Sequence, residues 1–186
     1  ANSKGEITIP TADGEVGVVK TIDGKSYLFN SDGEMDTGLR ILTYDGSKIT
    51  NISSEVDTAD TVKNMNSDTM KLVYFESNGA AKTGTTTITL DGTSYTFSFK
   101  SNGSPRGVGE TGISDGYIYQ NGLRLTADED TKYGVVTYKN ESYVVNEKGS
   151  IQKNKKNLKD ADETYYCTNA KGILLHSSTE KCTTKH

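Results

Sequence analysis

The chain has 186 residues, a net charge of −4 and a pI near 5.3, which gives no support to nucleic-acid binding. Hydrophobic residues make up 32% of the chain, the mean hydropathy is −0.63 and tryptophan is absent, so a thin structure is expected rather than one large core. No apolar run approaches the ~20 residues of a membrane span. The chain opens at Ala1 in polar sequence, and we expect a mature or excised fragment with covalent upstream or downstream domains.

The most informative feature is a short phrase that recurs along the chain. Its clearest copy, from Ile22 to Gly38, reads I-D-G-K-S-Y-L-F-N-S-D-G-E-M-D-T-G. Degenerate copies follow at Val73–Gly84, Asp91–Gly103, Asp115–Gly122, Ser142–Gly149 and Thr164–Gly172. The turn glycines, taken as equivalent, are Gly33, Gly79, Gly103, Gly122, Gly149 and Gly172. The first interval between them is about twice the others, which indicates a worn copy around Leu42–Thr50. A repeat of roughly 20 to 27 residues predicts stacked supersecondary units.

Each copy has the pattern of a β-hairpin. In Lys25–Phe29, Tyr27 and Phe29 point to one face because side chains alternate along a strand. The same alternation holds for Tyr95 with Phe97 and for Tyr117 with Tyr119. Asp-Gly and Asn-Gly pairs, which tolerate the positive φ of type I′ turns, recur between the strands. They lie at 13–14, 23–24, 32–33, 45–46, 78–79, 91–92, 102–103, 115–116 and 121–122.

One segment departs from this rhythm. Ser53–Met65 places Val56, Ala59, Val62 and Met65 at helical spacing after serines that could cap a helix, so either a short helix or a loop fits there. The fold class is therefore all-β, with tandem hairpins forming a solenoid-like stack and one short helix near 55–65. The chain divides into an N-terminal repeat segment at 1–106, with an insertion at 39–70, and a degenerate segment at 107–186. The alternative is one continuous repeat domain.

Two cysteines, Cys167 and Cys182, are the only ones in the chain. A disulfide between them requires an oxidising compartment, and two free buried thiols are the alternative. Metal binding is not expected, because His176 and His186 are the only histidines and a zinc site usually has four ligands. No cofactor motif is present.

The repeated phrase resembles the cell-wall-binding, choline-binding-like hairpin repeats of Gram-positive surface proteins, which are related in pattern to glucan-binding and clostridial toxin repeats. The residues that carry the resemblance are Asp23-Gly24, Tyr27, Phe29, Asn30, Asp32-Gly33, Met35 and Thr37-Gly38, and again Tyr74, Phe75, Asn78-Gly79 and Thr83-Gly84. The resemblance implies an extracellular hairpin solenoid that binds surface polymer. The chain departs from the family where Leu39 and Thr85 follow Thr-Gly in place of tryptophan, which puts a complete choline cage in doubt.

Aromatic side chains are the candidate ligand contacts, since tyrosine rings stack on sugar faces and their hydroxyls form hydrogen bonds. The candidates are Tyr27, Phe29, Tyr74, Phe75, Tyr95, Phe97, Tyr117, Tyr119, Tyr143 and Tyr165. Packing between hairpins is the alternative role for each of them. No catalytic constellation is recognisable: His176 and Ser177 are adjacent on a strand and face opposite ways.

These observations favour a non-enzymatic module that attaches a secreted or cell-surface protein to wall polymer or carbohydrate. Repeated weak sites would act together through effective concentration. The alternative is a structural spacer or adhesin stalk with no ligand of its own.

Overall fold

The structure is a computed structural model that describes residues 14–103 and 106–182. Across these residues the regular structure is antiparallel strand apart from one short helix. The predicted fold class, an all-β chain of tandem hairpins, is confirmed. The described chain divides into two compact units, the first up to Thr111 together with Gln120–Leu123, and the second formed by Gly112–Tyr119 and the residues from Arg124 onward. The predicted division at residue 106 stays a prediction.

The strands of the first unit are β1 (Gly17–Ile22), β2 (Lys25–Asn30), β3 (Met35–Asp36), β4 (Gly38–Asp45), β5 (Lys48–Ile52), β6 (Met70–Phe75), β7 (Gly84–Leu90) and β8 (Thr93–Phe99). The first six form a sheet with the strand order β3-β2-β1-β5-β4-β6, and β7 and β8 form a hairpin. The worn copy predicted at Leu42–Thr50 is the β4–β5 hairpin. Strand β4 also pairs with β6, from Gly38 opposite Phe75 to Thr43 opposite Met70.

The remaining strands belong mainly to the second unit. They are β9 (Gly112–Ser114), β10 (Tyr117–Gln120), β11 (Leu123–Arg124), β12 (Tyr133–Tyr138), β13 (Glu141–Asn146), β14 (Leu158–Lys159), β15 (Tyr165–Thr168) and β16 (Leu174–Ser178). Hairpins join β9 to β10 and β12 to β13, while β14, β15 and β16 form a three-stranded sheet in chain order.

The helix α1 spans Ala59–Lys63, shorter than the predicted segment. Its N-cap is Thr58, whose side chain accepts a hydrogen bond from the Thr61 N–H, and not one of the predicted serines. Ser53 instead accepts a hydrogen bond at its Oγ from the Ile41 N–H of β4 (2.9 Å). The apolar face was predicted correctly, since the four side chains at helical spacing are all buried: Val56, Ala59, Val62 and Met65.

Two kinds of turn recur along the chain. The first is the predicted hairpin turn with two positive φ angles, as at Asp23 (51°) and Gly24 (78°). In the second, the Oδ1 of Asn30 accepts from the N–H groups of Asp32 and Glu34 (3.0 Å each), and the Gly33 N–H donates to the Asn30 carbonyl (3.0 Å). The same hydrogen bonds recur at turns that begin at Asn146, Asp160 and Asn169.

This comparison corrects the set of equivalent glycines. Asn121 and Gly122 both have positive φ (51° and 92°), so this pair has the backbone of the first kind of turn and Gly122 is not equivalent to Gly33. Sequence reasoning also missed the turn at Asp160, because aspartate replaces asparagine there and Glu163 (φ 66°) stands where glycine stands elsewhere. The repeat is therefore more regular in backbone than in sequence.

Within each unit, neighbouring hairpins meet through one recurring contact. The side chain of the residue two positions after one turn glycine contacts a glycine of a later turn. A Cβ on that later glycine would collide with this side chain. The pairs are Met35 with Gly79, Ala81 with Gly107, Arg124 with Gly149 and Ile151 with Gly172. This close approach replaces part of the packing that a single large core would supply.

The apolar interior is divided into small clusters, as a repeat stack requires. Strand β4 separates two of them, since Leu39 and Ile41 pack with Val62 while Leu42 packs with Phe75. A third cluster, in the second unit, has Ile118 and Val145 at its centre. Near the C-terminal end the structure joins Cys167 to Cys182 by a disulfide, with the Cα atoms 6.4 Å apart.

Candidate functional site

The predicted aromatic residues fall into two groups. Five are at most 8% exposed and pack inside the hairpins: Phe29, Phe75, Phe97, Tyr119 and Tyr143. Their burial leaves almost no surface to a ligand, and three of them belong to the small apolar clusters: Phe75, Phe97 and Tyr143. This burial agrees with the packing alternative, and a ligand contact for these five stays a prediction. The other five are half-buried: Tyr27, Tyr74, Tyr95, Tyr117 and Tyr165. For these the predicted ligand contact stays a prediction.

Several ring faces are covered by cations of the chain itself. The Nζ of Lys71 lies 4.7 Å from the ring centroid of Tyr44, and the Cζ of Arg124 lies 3.7 Å from that of Tyr117. Two looser contacts join Lys139 to Tyr138 (5.5 Å) and Lys159 to Tyr165 (6.0 Å). A cation within about 6 Å of a ring centroid is attracted by the negative face of the ring. These faces are therefore not free for an external cation.

A groove of about 360 Å³ lies in the first unit beside β1. Strand β1 pairs with β2 along its whole length, but its described ladder to β5 is the single pair Gly17–Ile49. A Cβ at Gly17 would lie 2.6 Å from the Cδ1 of Ile52 and 3.1 Å from the Phe29 carbonyl oxygen, so the strands approach closely at this point. No further ladder pair joins β1 to β5 in the described chain. The rest of the β1 edge on the β5 side therefore borders the groove.

The lining of this groove mixes one aromatic ring with polar and charged groups. The residues that matter here are Glu15, Thr21, Tyr44, Ser47 and Lys71, with Val19 as an apolar neighbour. Burial raises the pKa of Tyr44 to about 12, so its hydroxyl stays neutral near pH 7 and can both donate and accept a hydrogen bond. An aromatic edge, hydroxyls and both signs of charge in one concave site suit a polar ligand with apolar faces, such as a sugar.

A second groove, of about 410 Å³, lies in the same unit. Arg40 is held there by donating from Nε to the Thr37 carbonyl (2.8 Å) and from Nη1 to the Ser53 carbonyl (3.1 Å). Asp36 and Asn51 also line it, and no aromatic side chain does. This groove offers hydrogen bonds and charge without a stacking surface.

The histidine of β16 lies in a local hydrogen-bonded turn. The Nε2 of His176 lies 3.1 Å from the Oγ of Ser178 and 2.9 Å from the Glu180 carbonyl. The Ser178 Oγ donates to the same carbonyl (3.0 Å), so both side chains contact the Glu180 backbone. Within residues 14–103 and 106–182, no cluster of histidine, cysteine or carboxylate side chains could hold a metal ion. No helix in this part of the chain is long and apolar enough to cross a membrane.

Sequence reasoning did not identify Tyr44 or Lys71. Tyr44 belongs to the worn repeat and directly precedes the Asp45-Gly46 turn, which is the one local signal that marked it. Lys71 lies on β6, far along the chain from β1, and reaches the groove only because β6 pairs with β4. A single sequence gives no signal for that pairing.

No family model matches the sequence, and no curated protein matches it. Among solved structures the fold is similar to CbpJ of Streptococcus pneumoniae, with a TM-score of 0.50 and 17% identity over 84% of this chain and 58% of that one. Lower scores are found for choline binding protein F of the same organism (TM-score 0.33, 18% identity, 87% of this chain and 48% of that one). The modular autolysin LytC of Streptococcus pneumoniae, solved with a synthetic peptidoglycan ligand, gives a TM-score of 0.38 at 11% identity, over 84% of this chain and 33% of that one.

At these identities the likeness concerns the fold. The hairpin-repeat architecture that the repeated phrase predicts is the architecture shared with CbpJ. This chain spans little more than half the length of CbpJ.

Proposed function

We propose that this chain is a non-catalytic binding module that attaches a secreted or cell-surface protein to bacterial wall polymer or carbohydrate. The observation that carries the proposal is the groove beside β1, where Tyr44, Lys71 and Glu15 line a concave site on a hairpin-repeat scaffold. Its volume of about 360 Å³ lies in the range of small-ligand sites.

The ligand is proposed to be a sugar-containing polymer and not choline. Four tyrosine rings of the described chain already contact a lysine or arginine of the chain itself: Tyr44, Tyr117, Tyr138 and Tyr165. The chain also has no tryptophan. A neutral sugar does not bind through a cation–π contact, so it does not need a ring face that is free of lysine or arginine. It can use an aromatic edge, the hydroxyls of Thr21 and Ser47 and the charges of Glu15 and Lys71.

An extracellular location is supported by the disulfide between Cys167 and Cys182, since such bonds persist in oxidising compartments. The similarity to CbpJ supports the same setting at the level of fold. We also propose that other parts of a longer parent protein supply any catalytic activity, because no catalytic arrangement was recognised in the described residues.

The test is cosedimentation of the intact chain with isolated walls of a Gram-positive bacterium. We expect saturable binding that soluble wall fragments compete away. Tyr44→Leu should weaken binding about two- to twelvefold, because an aromatic contact contributes about 0.5–1.5 kcal/mol. Tyr138→Leu is the matched control, since Tyr138 is also half-buried under a lysine but lies outside the groove.

Saturable binding that Tyr44→Leu weakens and Tyr138→Leu does not would support the proposal. No saturable binding by the intact, folded chain would overturn it in favour of a spacer. Equal loss in both variants would overturn the assignment to this groove.

A further inference from the structure

Strand β7 has one edge without a partner strand. It is the end strand of its sheet, and among the described residues its neighbour is β8 alone. The hairpin closes on the two-residue turn Asp91-Gly92, so Leu90 and Thr93 form a hydrogen-bonded pair. Every second residue of β7 is then bonded to β8, and the residues between them direct their N–H and carbonyl groups to the open edge.

Three threonines direct their backbone groups to this edge: Thr85, Thr87 and Thr89. The hydrogen bonds of Ser98, which lies opposite Thr85, support this assignment. The Ser98 N–H donates to the Gly122 carbonyl (2.8 Å), and its carbonyl accepts from the Glu110 N–H (2.9 Å), so both groups point away from β7. In the described chain no other backbone group reaches the edge of the three threonines.

None of the usual protections of an edge strand is found in β7. Natural proteins protect exposed edges with lysine, proline or a bulge, because an unpaired edge can bind another strand. The sequence of β7, G-T-T-T-I-T-L, has no charged residue and no proline, and its register with β8 is continuous. The side chains of the three edge threonines are exposed, and β-branched residues favour the extended conformation. The edge is therefore ready to pair.

We propose that a second copy of this chain pairs with β7 in antiparallel orientation about a two-fold axis at Thr87. A two-fold interface requires a surface that is complementary to itself, and an uncharged edge with threonine at alternate positions is one. Thr87 lies opposite Thr87 of the second copy, and Thr85 lies opposite Thr89. All the edge-facing backbone groups of these threonines then form hydrogen bonds, and threonine pairs across strands are favourable.

The charges near the edge are compatible with self-pairing. The chain has a net charge of −4, and like charges that lie directly opposite each other destabilise a strand pair. The residues from Thr83 to Leu90 are uncharged, so no like charges meet along the paired segment. At its ends Asp91 lies opposite Thr83 of the second copy, beside Lys82, which has the opposite sign. The ion pair of Lys82 with Glu76 (3.8 Å) is exposed and contributes little.

The first test is sedimentation equilibrium of the intact chain from about 10 µM to 1 mM, because a single strand pair gives a weak dimer. Thr87→Lys places two lysines opposite each other on the two-fold axis and should weaken dimerisation about three- to fivefold. Val135→Lys is the matched control, since Val135 is also exposed, on the hairpin strand β12, and the change in charge is the same.

The second test measures the register by cysteine cross-linking under mild oxidation. A hydrogen-bonded antiparallel pair has its Cα atoms about 5.5 Å apart, within the range of a disulfide. Thr87→Cys should therefore form a covalent dimer. Thr85→Cys is the control, because the two copies of residue 85 lie four positions apart along the strands, about 14 Å, which is too far for a disulfide.

A reversible dimer that Thr87→Lys weakens, with selective cross-linking of Thr87→Cys, would support the proposal. A chain that is monomeric at 1 mM would overturn it, as would equal weakening by Val135→Lys or cross-linking of Thr85→Cys at the same rate as Thr87→Cys. These outcomes do not depend on wall binding, because β7 contributes no residue to the groove beside β1.

Discussion

The hydroxyl of Tyr166 donates a 2.8 Å hydrogen bond to the Oδ2 of Asp160, and both residues are buried. Asp160 occupies the turn position that asparagine holds at residues 30, 146 and 169. Its Oδ1 accepts from the Asp162 and Thr164 N–H groups (2.9 Å each), as the asparagine oxygens do. The aspartate therefore preserves the turn and adds an anchor to the neighbouring strand β15.

This pair predicts acid sensitivity. Desolvation raises the pKa of Asp160, but hydrogen bonds from Thr164, Tyr166 and Asp162 outweigh it and leave the pKa below its usual value. Because the folded-state pKa is lowered, the stabilisation is complete above the unfolded value of about 3.9 and is lost as the pH falls through the folded value. Urea unfolding of Asp160→Asn between pH 2 and 6 should show a flatter acid limb than the wild type. Identical acid limbs would contradict this.

The same pair predicts alkaline sensitivity. Burial and the bond to Asp160 raise the pKa of Tyr166 to about 12. A raised folded-state pKa gives stabilisation that is complete below the unfolded value of about 10 and is lost as the pH rises towards 12. Tyr166→Phe should cost about 1–3 kcal/mol at pH 7, because a buried acceptor loses its donor. It should also remove this residue's part of the alkaline loss, measured by urea unfolding between pH 8 and 12.

The contact of Met35 with Gly79 predicts a turn that does not tolerate alanine. Gly79 has a φ of 86°, and a Cβ there would collide with the Met35 side chain. Gly46→Ala is the matched control, since Gly46 also has positive φ (62°) but nothing lies within 4 Å of its Cβ position. Backbone strain alone should cost Gly46→Ala about 1–2 kcal/mol, and displacing the flexible Met35 side chain, which is 42% exposed, should cost Gly79→Ala about 0.5–1.5 kcal/mol more.

Met35→Ala should partly rescue Gly79→Ala, so that the double variant is more stable than the sum of the single effects. The free energies of unfolding come from chemical denaturation. Equal losses at Gly46 and Gly79, or strict additivity with Met35, would show that the contact is not a close packing contact.

The disulfide predicts stability that depends on redox conditions. Closing a loop of 15 residues constrains the unfolded chain by about 3 kcal/mol in the loop-entropy model. Thermal unfolding with a reductant should begin at a lower temperature than without it, and a Cys167→Ser, Cys182→Ser double variant should unfold at that lower temperature with or without reductant. A wild-type chain that is insensitive to reductant would show that the bond contributes little.

Local signals predicted much of the fold. Asp23-Gly24 marked a hairpin turn, and the spacing of Val56, Ala59, Val62 and Met65 marked the buried face around α1. These features depend on a few adjacent residues, whose backbone preferences are visible in sequence.

Non-local pairing could not be predicted in the same way. The strand order β2-β1-β5-β4-β6 is set by packing between segments far apart in the chain, so the groove beside β1 and its lining residues Tyr44 and Lys71 stayed hidden. The aromatic candidates were chosen by strand alternation alone, and their role as ligand contacts stays a prediction. Which rings face inward depends on that same non-local packing, as the burial of Phe75 and Phe97 shows.

The most direct test of the proposed function is an amide NMR titration of the isotope-labelled chain with soluble fragments of Gram-positive walls. We expect saturable shift changes that cluster at residues 15–21, 44–49 and 71, around the groove beside β1. Saturable changes centred elsewhere in the chain would contradict the account. So would the absence of changes at fragment concentrations that fully compete with wall cosedimentation.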